Sequence, residues 1–75
     1  MTQQQSLEAT IRVNGETALL QAATLDALLA DKAVDTQQRG IAVALNGAVV
    51  PRAAWHTTAL KAGDSVEIVR ARQGG

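Results

Sequence analysis

The residues of this chain that are best placed to take part in chemistry are the last two, Gly74 and Gly75. At an average glycine usage of about 7%, two consecutive glycines occur at a given place by chance about 0.5% of the time. Glycine has no Cβ, so such a pair forms a thin tail that can enter a narrow cleft and bring its carboxylate to a nucleotide phosphate. A carboxylate is a poor electrophile until it becomes an acyl-adenylate, which has a good leaving group. The pair therefore predicts that a partner enzyme activates the carboxylate of Gly75.

The composition of the chain argues against most other chemistry. Its 75 residues include no cysteine and a single histidine, His56. Disulfides, thiolate metal sites and a cysteine nucleophile are therefore excluded, and one histidine cannot form a His-based metal cluster. Since no set of residues supplies a nucleophile, a base and an orienting group together, we expect His56 at the surface. We therefore expect no enzyme activity, no catalytic residue, no metal site and no cofactor bound by this chain.

The charges and aromatic residues disfavour a nucleic-acid partner. Seven basic residues balance seven acidic ones, and Trp55 is the only aromatic residue. A basic stripe and a stacking platform, which nucleic-acid binding requires, are both missing. The longest apolar stretch is too short to cross a bilayer, and the N-terminal residues do not resemble a signal peptide. We therefore expect a cytoplasmic protein that binds neither nucleic acid nor membranes.

The first half of the chain predicts two strands followed by a helix. Apolar and polar residues alternate from Leu7 to Val13, which is typical of a half-buried strand. Asn14-Gly15 favours a type I′ turn, which needs positive φ at both central positions, and so predicts a hairpin into a second strand over residues 17–21.

The helix is predicted from a capping residue and a change of period. Thr24 can accept a backbone N–H as an N-cap, and leucines at positions 25, 28 and 29 recur at helical spacing. The pattern ends at about Asp31 or Lys32. A polar loop over residues 35–40 then returns the chain to the sheet.

The second half of the chain predicts two or three further strands. Residues 41–45 alternate with small alanines between them, so we expect an interior strand with both faces at least partly covered. Asn46-Gly47 is a second turn signal, and Pro51, which cannot donate to a ladder, ends a brief strand over residues 48–50. Residues 52–60 are irregular or contain a single helical turn, and residues 65–72 form the last strand. The predicted order ββαββ is an α+β unit.

Two internal segments and the chain end resemble one protein family. Residues 46–55 read NGAVVPRAAW, residues 60–69 read LKAGDSVEIV, and the chain ends in Gly-Gly. Together they resemble the ThiS family of sulfur carrier proteins in thiamin biosynthesis. The resemblance implies a ubiquitin-like β-grasp fold, a mixed sheet of four or five strands packed on one main helix. We expect this domain over residues 7–72, with a disordered N-terminal extension at residues 1–6 and a flexible tail at residues 73–75.

The resemblance also implies a reaction sequence at the tail. A ubiquitin-activating-like adenylyltransferase would use ATP and magnesium to adenylate Gly75, and sulfur from a persulfide donor would convert it to a thiocarboxylate. Thiazole synthase would then receive the sulfur, while Gly74 keeps the tail thin. Because the chain has no cysteine, its C-terminus is the one place where it can hold activated sulfur.

Residues near the tail are candidates for partner contacts. One helix can cover only one face of the sheet, so Val69 and Ala71 on the opposite face form either a docking patch for the activating enzyme or ordinary sheet packing. Arg52, Arg70 and Arg72 are either solvated charges or guides toward acidic groups of a partner and nucleotide phosphates.

Alternative interpretations remain for some residues and for the whole chain. Trp55 either packs beneath the loop after Pro51, which we favour because a lone Trp is a large share of the apolar area, or belongs to a partner surface. Asp64 and Ser65 are weakly similar to the attachment site of acyl carrier proteins, but those are acidic helical bundles. The small subunit of molybdopterin synthase shares the fold, the L-x-x-G-D turn and the Gly-Gly end. A ubiquitin-like protein modifier or binding module is the further alternative.

Overall fold

The structure, a computed structural model, describes residues 9–70. Residues 1–8 and 71–75 lie outside this range. The domain limits at residues 7 and 72, the disordered extension at residues 1–6 and the flexible tail at residues 73–75 therefore stay predictions. The described residues form five strands, one α-helix and one 3-10 helix in the predicted order. They are β1 Thr10–Val13, β2 Glu16–Leu19, α1 Leu25–Asp31, β3 Ile41–Leu45, β4 Ala48–Val50, the 3-10 helix Arg52–Thr57, and β5 Ser65–Arg70.

The five strands form one mixed sheet in the order β2-β1-β5-β3-β4. The hairpin pairs β1–β2 and β3–β4 are antiparallel, as is β3–β5, whereas β1 and β5 run parallel. The last strand of the chain is therefore the central strand of the sheet. This arrangement on one α-helix confirms the predicted β-grasp architecture.

Both hairpins turn at an Asn-Gly pair, as predicted. Asn14 and Gly15 have φ of 51° and 86°, and Asn46 and Gly47 have φ of 52° and 88°. Positive φ at both central residues defines the type I′ turn, whose twist matches that of the flanking strands. The second strand begins and ends somewhat earlier than the predicted residues 17–21, because the two-residue turn brings Glu16 directly opposite Val13.

Helix α1 begins as its sequence predicts. The Thr24 Oγ1 accepts a hydrogen bond from the Ala27 N–H at 3.3 Å, which satisfies one of the free N–H groups of the first turn. Leu25, Leu28 and Leu29 are buried against the sheet. No helix among residues 9–70 is long and apolar enough to cross a membrane.

The core lies between α1 and one face of the sheet. It is aliphatic except for Trp55, and its buried members are Ile11, Val13, Ala22, Leu25, Leu28, Leu29, Val34, Ile41, Val43, Trp55, Leu60 and Val66. The other face of the sheet, which we call the open face, is not covered by α1. The prediction that both faces of β3 are partly covered is therefore wrong at Ala42, which is exposed, while Ala44 is half-buried.

Candidate functional site

The central strand β5 carries the chain toward its Gly-Gly end. It lies between β1 and β3 and its last residue is Arg70. Gly74, Gly75, Ala71 and Arg72 lie outside the described residues, so the structure fixes where the tail begins and not its course. Five residues follow Arg70, and a fully extended chain gains at most about 3.6 Å per residue, so the carboxylate of Gly75 reaches at most about 18 Å beyond it.

A small apolar patch occupies the open face beside the start of the tail. Val69 is 60% exposed and Val49 is 75% exposed. Val69 lies opposite Ala42, and Val49 lies opposite Ala44, so the four side chains adjoin across β5, β3 and β4. We call these four residues the open-face patch. Large aliphatic side chains this exposed are suited to contact with another protein. The predicted exposure of Val69 on the face opposite the helix is confirmed.

Arg70 lies on the other face of the sheet from Val69, because successive residues of a strand point to opposite faces. Its side chain lines a groove near the end of α1 together with Lys32 and Glu16. The other residues that line the groove are the apolar Val13, Val34 and Ile68 and the polar Asn14. Two of the predicted contact residues, Val69 and Arg70, are therefore adjacent in the chain but belong to different surfaces.

Arg52 is held by contacts within the chain. Its guanidinium carbon lies 4.6 Å from the centroid of the Trp55 ring, and its terminal nitrogens donate to the carbonyl oxygens of Thr36 and Gln38. The stacking and the paired hydrogen bonds fix the 35–39 loop against the 3-10 helix. Arg52 lines a depression that shares no residue with the groove beside Arg70. The structure thus separates Arg52 from the other candidate contacts.

Trp55 is a core residue, which confirms the packing interpretation. It is 3% exposed, and its Nε1–H donates to the Val50 carbonyl oxygen at 2.9 Å. The buried ring therefore has its one polar group satisfied, and it ties the 3-10 helix to β4. His56 next to it is exposed, as predicted.

A hydrogen-bonded cluster at the start of β5 was not predicted from the sequence. Asn46 donates from Nδ2 to Asp64 Oδ1 at 3.0 Å and accepts the Ser65 N–H on Oδ1 at 2.8 Å. Asp64 is buried, and its Oδ2 accepts the Lys61 N–H at 2.8 Å. These hydrogen bonds, the one from Asn46 above all, hold the pKa of the Asp64 carboxyl below its usual value. Because Ser65 is engaged in starting the strand, this region is structural.

A similar contact joins the other Asn-Gly turn to β5. Asn14 accepts the Ile68 N–H on Oδ1 at 2.8 Å, and its Nδ2 lies 3.3 Å from the Ile68 carbonyl oxygen. The turn asparagines thus support the central strand at two points. Among residues 9–70, no group of three or more His, Cys, Asp or Glu side chains is placed to hold a metal ion. The described residues therefore form a body that presents β5 and two surfaces beside its end.

Comparisons with known proteins agree with this architecture. The family model of the ThiS family matches residues 5–75. A crystal structure of the thiamine biosynthesis protein ThiS from Geobacter metallireducens is 33% identical, with a TM-score of 0.72, and the match covers 88% of this chain and 99% of that one. A solution NMR structure of a thiamine biosynthesis protein from the same organism is 32% identical, with a TM-score of 0.70, and the match covers 88% of this chain and 87% of that one.

No curated protein matches the chain. The assignment therefore depends on the family model, which spans nearly the whole sequence, and on the solved structures, which share both the fold and a third of the residues. This chain belongs to the ThiS family.

Proposed function

We propose that this protein is a sulfur carrier in thiamin biosynthesis whose Gly75 carboxylate is adenylated, converted to a thiocarboxylate and used by thiazole synthase. The observation that carries the proposal is the match to the ThiS family, which extends through Gly74 and Gly75 to residue 75. Proteins of this family are small ubiquitin-like carriers rather than catalysts. The protein would accordingly be a co-substrate of its partner enzymes.

The proposed chemistry converts the carboxyl group of Gly75 in three steps. The Gly75 carboxylate attacks the α-phosphorus of ATP, which is bound with magnesium by the activating adenylyltransferase, and pyrophosphate leaves. The terminal sulfur of a persulfide donor then attacks the acyl-adenylate, and AMP leaves with its bonding electron pair. A thiol finally attacks the donor's inner sulfur, which leaves the thiocarboxylate on Gly75 and a disulfide between that thiol and the donor.

The chain contributes accessibility and recognition to this sequence of reactions. Gly74 keeps the end of the tail narrow, and the chain has no cysteine that could divert the activated carboxyl or the sulfur. The tail begins at the end of β5, the central strand of the sheet, which has a neighbouring strand on each side. The partner therefore receives a reactive end whose starting point, Arg70, is fixed relative to the docking surfaces.

We also propose that the open-face patch is the contact surface for the activating enzyme. Replacing Val69 with lysine places a charge in the middle of the proposed contact while leaving the core untouched, because Val69 is 60% exposed. We expect the KM for adenylation to rise by about tenfold, equivalent to about 1.4 kcal/mol of lost binding. Pyrophosphate release, measured with the adenylyltransferase of the same organism at a series of carrier concentrations, gives this value.

The matched control is Leu19→Lys. Leu19 is 48% exposed on the same open face, but it lies on β2 at the far edge of the sheet, away from the patch. We expect this variant to be adenylated with the KM of the unmodified protein. Equal KM values for the two lysine variants would count against the patch as the docking surface.

Loss of the gene separates the proposed pathway from its alternatives. A sulfur carrier of thiamin biosynthesis predicts a strain that needs thiamin or its thiazole precursor for growth. A small subunit of molybdopterin synthase predicts loss of molybdenum enzymes instead, and a protein modifier predicts loss of isopeptide adducts. We expect added thiamin to restore growth of this strain. Full growth without thiamin would contradict the proposal. Where the genome contains a second carrier gene, the strain tested is the double deletion.

A further inference from the structure

The hydrogen bonds of β5 alternate between its two neighbouring strands. The Asn46 N–H donates to the Ser65 carbonyl oxygen at 2.7 Å, which places the odd-numbered residues of β5 in hydrogen-bonded pairs with β3. The even-numbered residues face β1 instead: the Asp64 carbonyl oxygen accepts from Arg12, and the Val66 carbonyl oxygen accepts from Asn14, both at 2.9 Å. The same alternation assigns the N–H and C=O of Arg70 to the β1 side.

Strand β1 ends before it reaches Arg70. Its parallel pairing with β5 covers only Ser65 and Val66, and the chain then turns away at Asn14. The side-chain amide of Asn14 takes over at the next position and binds both the N–H and the C=O of Ile68. Arg70 is the next residue with this orientation, and within residues 9–70 its N–H and C=O have no hydrogen-bond partner on this side. The side of β5 that faced β1 is thus an open strand edge at Arg70.

The surroundings of this edge indicate what it would accept. The groove that Arg70 lines also contains the apolar residues Val34 and Ile68. Its charged residues are two cations, Lys32 and Arg70, and one anion, Glu16. An extended peptide pairing with the edge would direct alternate side chains into this groove. An acidic side chain in the groove would lie near Lys32 and Arg70. Its carboxylate could then accept hydrogen bonds from both cations.

We propose that an extended segment of the enzyme that activates Gly75 pairs with β5 at Arg70, as an added strand with an acidic residue directed toward Lys32 and Arg70. The inference rests on the proposed function, because the occupant is the enzyme that must approach a carboxylate only five residues further along the chain. Backbone pairing at this point fixes the direction in which the tail leaves the sheet. This contact is made by backbone groups and does not depend on the side chains of the tail.

Proline at position 70 tests the backbone contact directly. Arg70→Pro removes the outward N–H, and its ring occupies the space of the added strand. Arg70→Ala removes the same charged side chain but keeps the N–H, and is the matched control. We expect kcat/KM for adenylation to be about tenfold lower for the proline variant than for the alanine variant. The reason is that proline removes one hydrogen bond and prevents the strand contact. Equal values for the two variants would overturn the proposal.

Two further measurements keep the result unambiguous. Arg70 lies opposite Ile41 of β3, but in the alternation described above the hydrogen bonds to β3 are made by Val69, so both variants should unfold at the same temperature. If the proline variant does not fold, amide hydrogen exchange of the unmodified protein decides instead. The Arg70 amide should exchange at least tenfold faster than that of Val69 in the free protein and become protected in the complex with the adenylyltransferase. An Arg70 amide that the enzyme leaves unprotected would contradict the strand contact, whereas failure of the unmodified protein to be adenylated would contradict the proposed function.

Discussion

Deletion of Gly75 abolishes sulfur transfer and leaves the fold unchanged. The proposed function places every covalent change of this chain on the carboxyl group of Gly75, so a chain that ends at Gly74 presents its carboxylate one residue, or about 3.5 Å, short of the reacting phosphate. Misplacement of a reacting group by even 1 Å can reduce a rate by about a hundredfold. We expect adenylation of the deletion variant to fall by at least that factor, as measured by pyrophosphate release.

The fold should not respond to this deletion. Among residues 9–70, the buried core residues lie between Ile11 and Val66, and a residue at a chain end contributes little to stability. The thermal midpoint of unfolding should therefore match that of the unmodified protein. Adding one alanine after Gly75 is the complementary variant, because it keeps both glycines and moves the carboxylate outward. Sulfur transfer by either variant at the normal rate would contradict the assignment of Gly75.

Replacing Trp55 with alanine should remove a large part of the protein's free energy of unfolding. Truncating a buried tryptophan costs about 3–5 kcal/mol, whereas a domain of 75 residues has a total stability of about 4–11 kcal/mol. The substitution also removes the hydrogen bond to Val50 and the ring beneath Arg52, so the 3-10 helix and the 35–39 loop lose their joint support. Trp55 is the only tryptophan, so the alanine variant has no tryptophan fluorescence. Unfolding in urea is therefore followed by circular dichroism.

Trp55→Phe separates packing from the hydrogen bond. Phenylalanine keeps most of the apolar volume and an aromatic face for Arg52, but it lacks the N–H that Val50 accepts. We expect a loss of about 1–2 kcal/mol for this variant, less than half of the loss for alanine. A urea midpoint for Trp55→Ala equal to that of the unmodified protein would show that Trp55 does not support the core.

The local signals in the sequence predicted the elements of the fold correctly but not all of their contacts. The Asn-Gly pairs specify type I′ turns through backbone conformation alone, and both turns are present. Their asparagine side chains, however, bind β5 at Ile68 and Ser65, which are 54 and 19 residues away in the chain. The first contact depends on the parallel pairing of β1 with β5 and the second on the antiparallel pairing of β3 with β5, and no local pattern encodes either pairing.

Among the candidate contact residues too, some features follow from local sequence patterns and others depend on the whole fold. The exposure of Val69 follows from strand alternation and from the presence of one helix, so it could be predicted. Arg52 could not be assigned from the sequence, because its partners are backbone carbonyls of a loop whose position depends on the whole fold. The open strand edge at Arg70 requires knowledge of where β1 ends relative to β5, which only the sheet register provides.

The most direct test of the account is the mass of the protein isolated from its native host. Intact-protein mass spectrometry, followed by fragmentation of the C-terminal peptide, should show a subpopulation in which one oxygen is exchanged for sulfur, and the exchange should lie on Gly75. The subpopulation should disappear when the activating enzyme is deleted. A protein that never carries sulfur at Gly75 while thiamin synthesis proceeds, or one that carries isopeptide adducts there instead, would contradict the assignment as a sulfur carrier.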